Sequence, residues 1–387
     1  MNKRNLAIDI FRGLTMVLMV FVNDLFTIVD APEWMEHTAT QTDGMGLADI
    51  VFPMFLFAMG MSVPYALENR IAKGKPLGET IVHILERTFA LLAMGVLLYN
   101  TERDMVMDEG VYWLLMLLGV GLVWNAYPEN YKPQRWLKLA GAAILIGLVV
   151  TYRTEDDHLF RAGWWGILGE IGWAYLFTAA AYLLGRKKPW ALAVVWLGLC
   201  LVNVSVMRMK GGEAWIGKNI LADLAEALHL GRGASVIMSL GGVLTVLAGQ
   251  RIRKGKLLFG LAAAAALAGL GAFTHQYWII SKNLATLPWC LYVGAISVAL
   301  YTLLRLLERK GWTAWAKPLK PAGVATLTMY MVPYFYYAIR HFVRHAFDLD
   351  TPEWLCGYVG VGKCILFVAL CLVTVWALNK KGIKLKV

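Results

Sequence analysis

The feature that most constrains the fold of this chain is the recurrence of long apolar runs. Each run approaches the ~20 residues that an α-helix needs to cross the hydrocarbon core of a bilayer. We therefore predict an all-α polytopic integral membrane protein of about twelve transmembrane helices, with eleven as the alternative count, forming a single domain over residues 1–387. The predicted spans cover residues 6–28, 47–68, 80–99, 110–127, 136–152, 163–185, 190–208, 233–250, 256–275, 286–307, 321–342 and 357–378.

Composition agrees with a bilayer environment and argues against nucleic acid as a partner. Of the 387 residues, 59% are hydrophobic and 16% are charged, whereas soluble domains carry about 25% charged residues. The net charge of +11 could suggest nucleic-acid binding. However, the Lys and Arg residues occur in short clusters between apolar runs, which is the pattern of membrane topology.

The loops predict the orientation. If the N-terminus is inside, each predicted inner loop is basic, and the C-terminal tail is basic as well, with Lys380, Lys381, Lys384 and Lys386. The predicted outer loops are acidic or mixed. The positive-inside rule therefore places both termini in the cytoplasm, and we expect a cytoplasmic (inner) membrane protein. The first apolar run reaches about Val29 without a small-residue cleavage site, so we expect it to be retained as a helix.

The five cysteines predict neither a disulfide nor a metal site. They have no metal-ligand spacing, and four of them lie in apolar runs or at their edges, which is typical of buried free thiols. The remaining one, Cys356, lies in a predicted outer loop without an obvious partner.

Polar residues in the first span are functional candidates, because ionisable groups inside a membrane are costly. Asp9 and Arg12 are three residues apart and can pair along a helix face, although a pair that marks the helix boundary is an equal alternative. Arg12 and Asn23 are eleven residues apart, so they share a face and lie about 16 Å apart along the axis. This helix thus offers a cation near the cytoplasm and an amide near the outside.

A histidine and an aspartate flank the start of the second span. His37 lies in the first outer loop, where a lone histidine is normally only exposed. Asp49 lies one turn before Pro53. The alternative role for Asp49 is structural, as a helix cap or a favourable charge at the positive end of the helix dipole.

Further polar and aromatic residues could line a substrate or acyl-CoA site. Glu170 and His275 have packing or helix pairing as alternatives, and Arg87 has the positive-inside role. These candidates are Arg87, Trp164, Trp165, Glu170, His275, Lys282 and Asn283.

The end of the eleventh predicted span is basic on the outer side. Arg340, His341, Arg344 and His345 oppose the charge rule there. This cluster suggests contact with an anion.

Several motifs resemble one known family of enzymes. They are Ile8 to Thr15, Phe21-Val22-Asn23, His37, and Asp43-Gly44 through Ala48 to Phe57, supported by Trp164 to Tyr175 and Ser281 to Thr286. Together they are similar to the heparan-α-glucosaminide N-acetyltransferase family, in what looks like a bacterial branch. The first 65 residues carry most of the specificity. The chain departs from the better-known members after His37, where Thr38 to Gly44 is two residues longer and lacks a tryptophan.

The resemblance implies a transmembrane acyltransferase that uses cytosolic acetyl-CoA as co-substrate and no metal. The acetyl group would reach an amino sugar or glycan acceptor on the far side of the membrane. His37 matches the histidine assigned to catalysis, while Asn23 and Asp49 match the neighbouring motif residues. His37 would act as general base or as covalent acetyl carrier, with Asp49 orienting it and Asn23 donating to the thioester oxygen.

Alternatives remain at this point. A transporter or flippase of a sugar or lipid-linked glycan would also place polar residues inside spans, although the sequence has no evident inverted repeat. An acyltransferase with another acceptor, such as a polysaccharide hydroxyl, is a third option. The sequence also leaves open the donor chain length, the need for a partner protein and the oligomeric state, with a homodimer among the options.

Overall fold

The protein is α-helical throughout the part of the chain that the structure describes. This computed structural model describes residues 5–128, 130–162, 166–213, 215–216, 220, 223, 233–252, 255–349, 352 and 354–386. Each predicted span overlaps one long helix, and the eleventh also covers a short helix that ends at Val324. The helices are α1 (Leu6–Asp24), α2 (Leu47–Ala72), α3 (Leu77–Tyr99), α4 (Glu109–Trp124), α5 (Gln134–Thr151), α6 (Ile167–Gly185), α7 (Pro189–Ser205), α8 (Ala234–Arg251), α9 (Lys256–His275), α10 (Leu287–Arg309), α11 (Thr326–Phe347) and α12 (Gly357–Lys380). A short helix, Lys320–Val324, precedes α11.

Nine helices among the described residues are long and apolar enough to cross a membrane, which confirms the expected class of membrane protein. They are α1, α2, α3, α5, α6, α8, α9, α10 and α12. Helices α4 and α7 are apolar but shorter, and α11 is 22 residues long but carries a basic cluster in its last turns. The count of twelve spans therefore stays a prediction. Most of the apolar surface of α5 and α9 is exposed, as expected for helices that face lipid.

Helix α1 runs antiparallel to α2 and α10, and this defines two ends of the bundle. The Asn5 amide donates hydrogen bonds to the hydroxyls of Tyr65 (3.1 Å) and Tyr301 (3.0 Å). This places the start of α1 beside the far ends of α2 and α10. The backbone N of Leu385 donates to the hydroxyl of Thr328 near the start of α11. We call this the terminal end, because Asn5 and Leu385 both lie there, and the opposite end the His37 end.

Helix α2 is held in place by very close backbone contact with α8. A Cβ atom at Gly60 would lie 1.8 Å from the carbonyl oxygen of Ser239, and one at Gly242 would lie 2.1 Å from that of Phe57. Small residues that allow such an approach are the usual basis of helix association in membranes. The contact fixes the helix whose first turn carries Asp49.

Candidate active site

The centre of the candidate site is a hydrogen-bonded pair of His37 and Asp49. The Nδ1 atom of His37 lies 2.7 Å from Oδ1 of Asp49. Half of the His37 side chain is exposed, whereas only 1% of the Asp49 side chain is. Because a carboxylate can only accept a hydrogen bond, this contact assigns the proton to Nδ1 and leaves the lone pair on Nε2. The arrangement is that of a general base oriented by a buried carboxylate.

Asp49 also fixes the backbone around it. Its Oδ2 atom accepts hydrogen bonds from the backbone N of Thr38 and of Gly46, both at 3.0 Å. Its own carbonyl oxygen accepts from Nε1 of Trp289, also at 3.0 Å. The carboxylate thus caps the first turn of α2, where the helix dipole favours negative charge. One oxygen of Asp49 therefore contacts His37, and the other holds the backbone of Thr38 and Gly46.

A glycine allows the histidine loop to lie against the start of α2. A Cβ atom at Gly46 would lie 2.0 Å from the carbonyl oxygen of Glu36, a distance that no side chain can adopt without moving the backbone. Glu36 directly precedes His37. The close approach at Gly46 therefore sets the position of the imidazole.

Asp43 joins the histidine loop to the loop between α9 and α10. Its carboxylate accepts hydrogen bonds from Nζ of Lys210, Nε2 of His275 and the backbone N of Ile280, each at 2.8 Å. Burial raises the pKa of Asp43, but these hydrogen bonds outweigh it and hold the pKa below its usual value. His275 therefore lies at this junction and holds the loop that carries His37.

The loop between α9 and α10 brings a lysine against the histidine. The Nζ atom of Lys282 lies 3.3 Å from Nε2 and 3.4 Å from Nδ1 of His37. Asn283 donates from its amide to the carbonyl oxygen of Thr38 (3.3 Å). Burial lowers the pKa of Lys282, and the nearby carboxylates of Asp49 and Glu170 offset only part of that effect. The Lys282 ammonium is thus nearly equidistant from the two ring nitrogens of His37 and does not lie on the axis of the Nε2 lone pair.

The remaining residues that the sequence predicts for this end make no hydrogen bond to His37 among the described residues. Glu170 accepts a hydrogen bond from the hydroxyl of Ser235 (2.9 Å). Its carboxylate also attracts the ammonium group of Lys282. The half-buried Asn23 side chain makes no hydrogen bond to any residue that the structure describes. It is therefore free to donate to a ligand, but is not joined to His37. Trp164 and Trp165 lie outside the described residues.

A cavity of about 310 Å³ begins at the terminal end and extends toward the His37 end. Its lining on α2 runs from Ala66 to Phe55, eleven residues or about 16 Å along the helix axis. Near the other end of the bundle it is lined by Leu168, in the first turn of α6. Four basic side chains line it, namely Arg12, Arg87, Lys384 and Lys386.

The two arginines in this cavity differ in how they are held. Arg12 donates from Nε to the carbonyl oxygen of Gly323 (2.9 Å), and its Nη2 atom lies 3.5 Å from Oδ1 of Asp9. The guanidinium of Arg87 lies over the ring of Tyr175, 4.7 Å from its centroid. The buried Nε atom of Arg87 has no acceptor among the described residues. Arg87 therefore has donor capacity left for an anionic ligand.

Sequence reasoning missed four residues that build these sites. For Lys384 and Lys386 the basic tail predicts only a cytoplasmic location, yet both residues line the basic cavity. Lys210 and Trp289 had no motif to mark them, and only the fold brings them to Asp43 and Asp49.

No metal site and no disulfide emerge among the described residues. That part of the chain contains no group of three or more His, Cys, Asp or Glu side chains placed to hold an ion. All five cysteines, which the structure does describe, are free thiols.

These features define a class, a helical membrane protein with a histidine–aspartate pair at one end and a cavity lined by basic side chains near the other. The chain belongs to the family described as "Domain of unknown function (DUF5009)", which matches residues 4–216. Over 94 residues it is 33% identical to heparan-alpha-glucosaminide N-acetyltransferase of Mus musculus, covering 24% of this chain and 14% of that enzyme. It is 30% identical to the Homo sapiens enzyme over 94 residues, 13% of that protein. The matched segment therefore spans only a small part of either relative.

Proposed function

We propose that this protein is a transmembrane acyltransferase, which moves an acetyl group from cytosolic acetyl-CoA to an amino sugar or glycan at the extracytoplasmic face. The observation that carries the proposal is the 2.7 Å contact between His37 and Asp49, which leaves Nε2 of an exposed imidazole with its lone pair. The partial similarity to an N-acetyltransferase supports the same class of chemistry.

The basic cavity suits the donor. Acetyl-CoA is long, flexible and anionic at one end, and the phosphates would lie against the cations at the terminal end, Arg87 and Lys386 among them. The pantetheine arm would follow α2 toward its first turn. The innermost lining residue on α2, Phe55, is six residues or about 9 Å from Asp49 along the helix.

In the proposed reaction, the acceptor amine attacks the thioester carbonyl and gives its proton to Nε2 of His37. A nitrogen–carbon bond forms and the carbon–sulfur bond breaks, so the CoA thiolate leaves and takes that proton from the imidazolium. Asp49 stabilises the imidazolium through the Nδ1–H group. The Asn23 amide would donate to the thioester oxygen as negative charge develops there.

Two variants of this reaction use the same lone pair. In direct transfer, Nε2 accepts the proton of the acceptor. In the covalent variant, Nε2 takes the acetyl group first and then passes it to the acceptor.

The test is acetyl transfer by the purified protein from acetyl-CoA labelled in the acetyl group, with a panel of amino sugars and polysaccharide hydroxyls as acceptors. His37→Ala should abolish transfer. His158→Ala is the matched control, because His158 is an exposed loop histidine at the same end whose contacts are made by its backbone. Undiminished transfer by His37→Ala would remove His37 from the mechanism.

The same experiment separates the enzyme from a transporter. Release of free CoA thiol, measured with a thiol reagent, should depend on both the acceptor and His37. A transporter or flippase would move a glycan across proteoliposomes without releasing thiol. Transport without thiol release would overturn the proposal.

A further inference from the structure

A second cavity, of about 550 Å³, opens at the His37 end but is not lined by His37 or Asp49. It lies between α11, α4 and the segment that follows α1. Four of its lining residues are the basic cluster at the end of α11, Arg340, His341, Arg344 and His345. The proposed acyl transfer uses none of these residues.

Neither arginine of this cleft forms an ion pair with a carboxylate of the described residues. Arg340 is half-buried and makes no hydrogen bond or ion pair with any residue in the described ranges. Arg344 donates from Nε to the backbone carbonyl of Leu349 (2.9 Å) and has no carboxylate within salt-bridge distance in that part of the chain. Four residues apart on one helix, the two guanidinium groups are neighbours. Like charges held together in this way favour binding of an anion.

The nearby carboxylates are already engaged or exposed. Oδ2 of Asp24 accepts from Nζ of Lys363 at 2.7 Å, and Oδ1 accepts from the Tyr337 hydroxyl at 3.2 Å. Oδ2 of Asp108 lies 2.8 Å from Nε2 of His341. Asp348 lines the cleft but is exposed. Of the described carboxylates, Asp24 acts on the charge of Arg340 but is already paired with Lys363.

Aromatic side chains also line the cleft. They are Phe26, Trp113 and Tyr337, and Phe26 is 74% exposed. The buried indole N–H of Trp113 has no acceptor among the described residues. A ligand that combines an anionic group with a sugar ring or an acyl chain would suit both the basic and the aromatic lining.

We propose that this cleft binds a phosphomonoester, carried by a sugar or by a lipid head group, with Arg340 and Arg344 as its ligands. A phosphomonoester carries about −1.5 to −2 charges at neutral pH, which matches two guanidinium groups, whereas a carboxylate matches only one. Arginine binds phosphate oxygens through two parallel N–H bonds. The inference does not depend on the acyltransferase proposal.

The first test uses the wild-type protein in neutral detergent. Phenylglyoxal modifies accessible guanidinium groups, and peptide mass spectrometry can follow it at each arginine. Glucose 1-phosphate and short-chain phosphatidic acid are the probes, with glucose and short-chain phosphatidylcholine as uncharged-sugar and zwitterionic-lipid controls. Protection of Arg340 and Arg344, but not of Arg161 in another loop at the same end, is the expected result. The probe that protects the two arginines from modification shows whether the phosphomonoester is carried by a sugar or by a lipid head group.

The second test measures binding of the protecting probe to variants by calorimetry. Arg340→Gln and Arg344→Gln should each weaken binding at least tenfold, because a hydrogen bond between charged groups is lost. Arg161→Gln should bind as the wild type does. If neither probe protects Arg340 in the wild-type protein, or if both cleft variants bind unchanged, the proposal is wrong. Wild-type protection decides the question even if the variants do not fold.

Discussion

One carboxylate, that of Asp49, holds the His37 ring through Oδ1 at 2.7 Å and the backbone of Thr38 through Oδ2 at 3.0 Å. The same Oδ2 atom caps the first turn of α2 through the backbone N of Gly46. The orientation of the imidazole is therefore tied to the position of α2. That helix is in turn fixed by its backbone contact with α8 at Gly60.

Replacing this carboxylate by its amide should separate its two roles. In Asp49→Asn, the side-chain oxygen can still accept from the backbone of Gly46, but the NH2 group then faces His37 and favours the tautomer that protonates Nε2. We expect kcat for acetyl transfer to fall by about 10²–10⁴-fold, the usual contribution of general-base catalysis. The KM for acetyl-CoA and the melting temperature should change little. An Asp49→Asn enzyme with wild-type kcat would show that the pair is structural only.

The close approach at Gly46 predicts an unusually sensitive position. Gly46→Ala places a methyl group 2.0 Å from the Glu36 carbonyl oxygen, so the loop has to move and His37 moves with it. We expect the rate of acetyl transfer to drop at least tenfold, although this variant retains both His37 and Asp49. Gly44→Ala is the matched control in the same loop, since its Cβ would meet only Cγ2 of Thr38 at 3.9 Å. Equal activity of the two alanine variants would contradict the role assigned to Gly46.

Arg87 should recognise the phosphates of the donor rather than its thioester. Loss of a hydrogen bond to a charged group costs about 1.5–3 kcal/mol, so Arg87→Gln should raise the KM for acetyl-CoA roughly 10- to 100-fold. The KM for acetyl-pantetheine, which has no phosphate, should not change. Lys381→Gln serves as control, because Lys381 is an exposed residue of the C-terminal tail outside the cavity lining. Equal effects on both donors would place Arg87 outside phosphate recognition.

Most of the helical fold could be predicted from the apolar runs alone. Each long helix overlaps a predicted span, since a bilayer requires long uninterrupted helices. What the pattern does not settle is whether α4, α7 and α11 span the membrane. Helices α4 and α7 are short, and the basic residues of α11 interrupt its apolar character.

The candidate site could be predicted only in part. The motif residues His37 and Asp49 do form a pair, whereas Asn23 from the same motif makes no hydrogen bond to either. Lys210 is separated from Asp43 by more than 160 residues, and Trp289 from Asp49 by 240. Contacts of that kind depend on tertiary packing, which a single sequence does not encode as a local pattern.

The lowered pKa of Lys282 predicts that its charge reduces stability. Burial of the ammonium outweighs the attraction of Asp49 and Glu170, so the folded protein binds this proton more weakly than the unfolded chain does, where the pKa is about 10.4. This cost in folding free energy is present at neutral pH and is relieved as the pH rises through the lowered pKa toward ~10.4.

Lys282→Met should therefore melt at a higher temperature than the wild type at pH 7, and the difference in melting temperature should shrink as the pH rises. Lys210→Met should show no such gain, because Lys210 forms a 2.8 Å ion pair with Asp43. Thermal unfolding in one detergent across this pH range checks both variants, and a lower melting temperature for Lys282→Met at pH 7 would show that attraction to the carboxylates exceeds the cost of burial.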